Sequence, residues 1–116
     1  MDDEAGFTRL LKLTLEGTRR YIVKEENDGS QALWTARQFR PDLILLDIMM
    51  PKVDGGDVAR QVSTDPILKT VKIIFLTAIV SQKEMGAGGI SGYPVMAKPV
   101  SLAALTATIE ETLRVE

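Results

Sequence analysis

The sequence predicts an α/β protein, a doubly wound parallel sheet of four or five strands with five helices packed on its two faces. Three observations predict it. Short, nearly continuous apolar runs occur at Leu43 to Leu46, at Ile73 to Leu76 and, more loosely, at Tyr93 to Ala97. Strands that are apolar on both sides are the mark of a parallel sheet covered on both faces. The segments between these runs carry apolar residues at helical spacing. The junctions are rich in Gly, Pro, Asp and Ser, which end helices and start turns. At 116 residues the chain has room for one domain, residues 1–116, and can bury a core without a disulfide or metal staple.

In order along the chain, Phe7, Leu10, Leu11 and Thr14 share one face of a first helix. Tyr21 to Glu25 alternates weakly and reads as an edge strand. Gly29 and Ser30 open a second helix with Ala32, Leu33, Ala36 and Phe39 on its inner face, and Pro41 stops it. The strand ending at Asp47 follows, and Asp54-Gly55-Gly56 turns into a third helix. After the strand at Ile73, the glycines from Gly86 to Gly92 predict a short or irregular fourth helix. The last helix presents Leu102, Leu105, Ile109 and Leu113, with Ser101 placed to cap it. No internal repeat, linker or low-complexity tract interrupts this order.

Composition removes several classes of chemistry. With no Cys and no His, thiol nucleophiles, disulfides, Ser-His catalysis and imidazole ligation are all excluded. Fourteen basic against sixteen acidic residues predict no direct binding of nucleic acid or anionic membrane. The longest apolar run, Ile73 to Val80, falls far short of the roughly 18 residues that span a bilayer, and the acidic start is unlike a secretory leader. The expected compartment is cytoplasmic.

In an open α/β sheet, ligands bind at the carboxyl ends of the strands. Asp47, Thr77 and Lys98 each end an apolar run there. A polar residue at one strand end is an ordinary terminus, but three on consecutive strands suggest a site. Asp2 and Asp3, just before the first helix, read either as acids favourable to its dipole or as further members of that site. Three carboxylates suit Mg²⁺, which takes oxygen ligands together with phosphate and water. Phosphoryl transfer is the chemistry such a set supports.

With these residues the chain resembles the receiver domain of two-component response regulators, the CheY-like family. The resemblance rests on Asp2-Asp3-Glu4, on the run from Pro41-Asp42 through Asp47 to Pro51 with Asp54-Gly55 after it, on Phe75-Leu76-Thr77-Ala78, and on Lys98-Pro99. It implies a flavodoxin-like receiver fold and a phosphorelay switch. Asp47 would be the phosphoacceptor, and Asp2, Asp3, Asp47 and the backbone carbonyl of Met49 would hold Mg²⁺. Thr77 and Lys98 would stabilise the phosphoryl group, supported by Ala78 and by Pro99, which matches a cis-peptide position of the family. Val95 stands where the family usually has a switch aromatic. The implied partners are a sensor histidine kinase or phosphotransfer protein and a downstream output protein, which would read the surface of the family's fourth helix, fifth strand and fifth helix. The chain would promote its own phosphorylation and dephosphorylation without being a turnover enzyme.

The family also carries an apolar strand immediately before the acidic pair, whereas this sequence starts Met1-Asp2-Asp3. The first strand is therefore expected to be absent from the interior of the sheet, leaving Asp2 and Asp3 unanchored and favouring a homodimer with strand exchange. With nothing after the last helix, no attached output domain is expected. Two other readings fit the residues less well. One is a degenerate receiver-like interaction module that is not phosphorylated. The other is an aspartyl-nucleophile phosphohydrolase, which would usually have an acid/base Asp where Met49 stands.

Overall fold

A computed structural model describes residues 1–50, 53–77, 93–98 and 100–114. Its helices are α1 (Ala5–Gly17), α2 (Ala32–Phe39), preceded by a 3₁₀ turn at Gly29–Gln31, α3 (Gly55–Thr64) and α4 (Leu102–Arg114). Its strands are β1 (Leu43–Asp47), β2 (Met49–Met50), β3 (Val53–Asp54), β4 (Lys72–Thr77) and β5 (Val95–Ala97). The main sheet has the order β1-β4-β5 with both pairings parallel, and β2 and β3 form a separate antiparallel ribbon. The predicted fourth helix and the loop from Ala78 lie outside the described residues, as do Pro51 and Pro99.

The doubly wound arrangement follows from the period of two along the strands. On β4, Ile73 and Phe75 enter a core cluster with Ala32, Ala36, Val58 and Val62 of α2 and α3, while Ile74 and Leu76 enter the opposite cluster with Leu15, Leu105 and Ile109 of α1 and α4. Ser101 caps its helix as the sequence predicts, and Asp54 and Asp28 cap theirs as well. Asp54 accepts from the Gly56 N–H at 2.7 Å, Ser101 from the Ala104 N–H at 3.1 Å, and Asp28 from the Ser30 N–H at 2.9 Å. Arg40, in left-handed conformation with φ of 56°, ends α2 one residue before Pro41. Arg37 of that helix reaches Asp65 after α3, its Nε donating at 2.8 Å, and this hydrogen bond holds the Asp65 carboxyl below its usual range.

Two expectations need correction. Leu10 points outward, 62% exposed, and the buried side of α1 runs instead through Phe7, Leu11 and Leu15. Tyr21 to Glu25 forms no strand. A strand is held by its ladder, and the segment meets only the very end of one: the Asp2 N–H donates to the Glu26 carbonyl at 3.1 Å. The Val23 backbone is instead satisfied by α1, with Lys12 Nζ donating to its carbonyl at 2.7 Å and its N–H donating to Glu16 at 2.9 Å.

Candidate functional site

Parallel pairing brings the predicted site residues to one end of the sheet. Asp47 ends β1 opposite Leu76, Thr77 ends β4 opposite Ala97, and Lys98 follows β5 with its N–H donating to the Thr77 carbonyl at 2.9 Å. Asp47 and Thr77 are buried. A tight turn fixes the loop after Asp47. The Gly55 N–H donates to the Ile48 carbonyl at 2.9 Å, and a Cβ at Gly55 would overlap the Asp47 carbonyl oxygen and lie 2.7 Å from Ile48 Cα. Only glycine permits that approach.

Asp2 is not left hanging at the terminus, contrary to the sequence-based expectation. Its N–H is bound by Glu26, its carbonyl accepts from the Asn27 side chain at 2.7 Å, and its Oδ1 accepts from the Glu4 N–H at 3.0 Å. Asn27 also donates to Thr8 at 2.7 Å, so α1 is tied into the same network. Met1 is threaded against β1, its α-amino group donating to the Leu45 carbonyl at 2.7 Å and its carbonyl accepting from the Asp47 N–H at 2.9 Å. Burial pushes that amino group down to about 6, against the opposing pull of Asp2, Asp47 and Glu26.

The result is an acidic cluster in which ligand oxygens of Asp2, Asp3 and Asp47 lie within 4.8 Å of one another, the first and last buried and Asp3 exposed. Three carboxylates at this spacing are hard oxygen donors and fit a small divalent cation. Lys98 Nζ sits among the acids, 2.5 Å from Asp2 Oδ2, 3.2 Å from Glu4 Oε1 and 3.6 Å from Asp47 Oδ2, and lies 4.4 Å from the centroid of the Phe7 ring. Burial alone would lower its pKa, but Asp2 foremost, with Asp47 and Glu4, raises it and keeps the ammonium charged. Glu4 and Phe7 are site neighbours that sequence reasoning missed. Glu4 entered only as the last residue of the Asp2-Asp3-Glu4 match, and Phe7 as one apolar position of a helix face.

Val95 is partly buried opposite Phe75, and the ring of Tyr93 meets Phe75 edge-on at 5.7 Å. Met49 pairs with Asp54 in the β2–β3 ribbon. Ala78 and Pro99 lie outside the described residues.

A parallel α/β sheet with clustered carboxylates and a lysine at its carboxyl edge defines a flavodoxin-like module whose acidic edge could hold a metal ion. The chain belongs to the response regulator receiver domain family, whose model matches residues 1–110. It is 38% identical to a probable transcriptional regulator, ycf27, of Guillardia theta over 98% of this chain and 44% of that protein. It is 35% identical to the DNA-binding response regulator MtrA of Mycobacterium tuberculosis, over 98% of this chain and 49% of MtrA. The chain thus spans about half the length of these curated relatives. Among solved structures, the chemotaxis protein CheY4 of Vibrio cholerae superposes with a TM-score of 0.83 at 26% identity, covering 96% of this chain and 92% of that one. The BeF3-activated N-terminal receiver domain of Klebsiella pneumoniae RstA does so with a TM-score of 0.81 at 25% identity, covering 98% and 95%. No described helix is long and apolar enough to cross a membrane.

Proposed function

We propose that this chain is the phosphoacceptor module of a two-component phosphorelay, acting in the cytoplasm and receiving a phosphoryl group on Asp47 from a histidine kinase or phosphotransfer protein. The observation that carries this reading is the grouping of Asp2, Asp3 and Asp47 within 4.8 Å, with Lys98 Nζ 3.6 Å from Asp47. Asp2, Asp3, Asp47 and the Met49 carbonyl would hold Mg²⁺, which when bound neutralises charge on the transferring group.

The work of the protein's own residues is positioning. A carboxylate oxygen of Asp47 attacks phosphorus in line, a P–O bond forms, and the donor's P–N bond breaks with its electron pair leaving on nitrogen. The Gly55 turn fixes the Asp47 backbone, and the Asn27–Thr8 network fixes Asp2. Lys98, a charge on a flexible stem, swings from Asp2 to a phosphoryl oxygen, and the Thr77 hydroxyl donates to another. The phosphoryl group adds about −1.5 to −2 charge at the sheet edge, which biases the surface read by an output protein. Val95 in the usual aromatic position leaves Thr77 and the loop after it as the route of that signal.

Acetyl phosphate with Mg²⁺, followed by intact mass, tests the reading. One added phosphoryl group, not formed when the metal is chelated beforehand and absent in Asp47→Asn, is the expected result. An unmodified wild-type chain, or an equally modified Asp47→Asn, would refute it.

A further inference from the structure

The Lys98 ammonium lies over the face of Phe7, 4.4 Å from the ring centroid, while donating to Asp2 at 2.5 Å and to Glu4 at 3.2 Å. Phe7 stands in the first turn of α1, where its N–H and that of Thr8 both donate to the Glu4 carbonyl at 3.1 Å. The ring packs against the cluster of Leu15, Leu76, Leu105 and Ile109, so its place is set by the core and not by the lysine. The Lys98 side chain is 11% exposed, and an ammonium so far desolvated gains more from a ring face than one in water. These three holds on one ammonium differ in what survives the arrival of a cation. A divalent ion bound by Asp2 and Asp47 takes the charge that Asp2 offers the lysine, and it also repels the ammonium. Glu4 is 66% exposed, and a solvated ion pair contributes little. The ring offers no oxygen ligand, so a hard cation does not compete for it. Of the three, Phe7 is the hold that remains.

We propose that Phe7 is a positioning residue: its ring face keeps the Lys98 ammonium beside Asp47 when a divalent cation takes Asp2, and the ammonium passes from Asp2 to a phosphoryl oxygen without leaving the ring. The second half rests on the reading of Asp47 as phosphoacceptor. Nζ is already 3.6 Å from Asp47 Oδ2, so a group bonded to that carboxyl comes within its reach by a small rotation of the lysine stem. Without the ring, the displaced ammonium has only water and an exposed Glu4 to turn to. Each phosphoryl transfer would then first have to order a long, freely rotating side chain.

The test replaces Phe7 alone by mono-, di- and trifluorinated phenylalanine, which keep the shape of the ring while weakening its negative face stepwise. Phe7→Leu removes the ring, Phe7→Tyr is the conservative variant, and the fluorinated series holds the test if Phe7→Leu fails to fold. The first readout is the NMR shift of the Lys98 ε-methylene protons, which a ring face moves upfield, with and without saturating Mg²⁺. The unaltered chain should keep its upfield shift in Mg²⁺, and Phe7→Leu should abolish it. The second readout is the initial rate of phosphorylation by acetyl phosphate at saturating Mg²⁺, with Mg²⁺ affinity measured alongside. The rate should fall stepwise with fluorination, by about three- to tenfold at the trifluorinated ring and as far in Phe7→Leu, and should stay within about twofold in Phe7→Tyr. Mg²⁺ affinity should fall in none of them. Loss of the upfield shift when Mg²⁺ is added to the unaltered chain would overturn the proposal. So would a rate that stays level across the fluorinated series, as a merely structural ring would give, or a Mg²⁺ affinity that falls in step with the rate. An unaltered chain that keeps Lys98 on the ring but takes no phosphoryl group would instead overturn the phosphoacceptor reading, and with it the second half of the proposal, while bearing out the first.

Discussion

Lys98 is held by three acidic side chains and the face of Phe7, and Asp2 takes the shortest of its contacts. In this arrangement the lysine acts as an internal counter-ion that any divalent cation must displace from Asp2. The pair is largely buried, so solvent screens it little and breaking it to admit the cation is costly. Lys98→Met should therefore tighten Mg²⁺ binding severalfold, while cutting the yield of phosphorylated protein at least tenfold. Isothermal titration and intact mass check the two halves, and a variant with weaker Mg²⁺ binding would contradict the counter-ion role. Met1 gives a pH dependence. Its folded pKa of about 6 lies below the 8.0 of the free amino group, so between those values the unfolded chain binds more protons. Stability should then rise with pH from 6 to 8, by up to about 2 kcal/mol, and the slope should vanish when the amino group is acetylated. Urea titrations across that range measure it, and a flat profile would mean that the amino group is solvated.

At the scale of elements, the β1–α3 turn is where sequence and site are most tightly coupled. Gly55→Ala places a methyl group against the Asp47 carbonyl and Ile48 Cα, and should cost about 1–3 kcal/mol of stability through overpacking. Mg²⁺ affinity should fall with it because Asp47 is displaced. Thermal melts with and without Mg²⁺ check both, and an unchanged Tm would show that the turn has slack. The turn was legible in the sequence as Asp54-Gly55-Gly56, as were the cap at Ser101 and the strand ends Asp47, Thr77 and Lys98. Each is a local contrast between a polar or glycine residue and an apolar run. What was not legible depends on partners distant in sequence. Tyr21 to Glu25 has the alternation of a strand but meets only one end of a neighbouring ladder. The anchoring of Asp2 uses Glu26 and Asn27, whose role no spacing announces. Leu10 and Leu11 are equally apolar, and only packing against α4 selects Leu11.

At the scale of the whole molecule, the main sheet carries the acidic cluster at its carboxyl edge and has a cavity beside β1. β1 and residues 21–26 do not pair directly, and Met1 bridges the carboxyl end of the space between them. Met1 together with Glu26 and Asn27 holds Asp2 within reach of Asp47, so the acidic cluster forms beside the cavity. The central claim is that this cluster makes Asp47 the phosphoacceptor. Its most direct test is to phosphorylate the chain with acetyl phosphate and Mg²⁺, reduce the acyl phosphate with borohydride, and locate the resulting homoserine by peptide mass spectrometry. Homoserine at position 47 alone, not formed when the metal is chelated before the donor is added, is the predicted result; homoserine at another aspartate, or none at any position, would contradict the account.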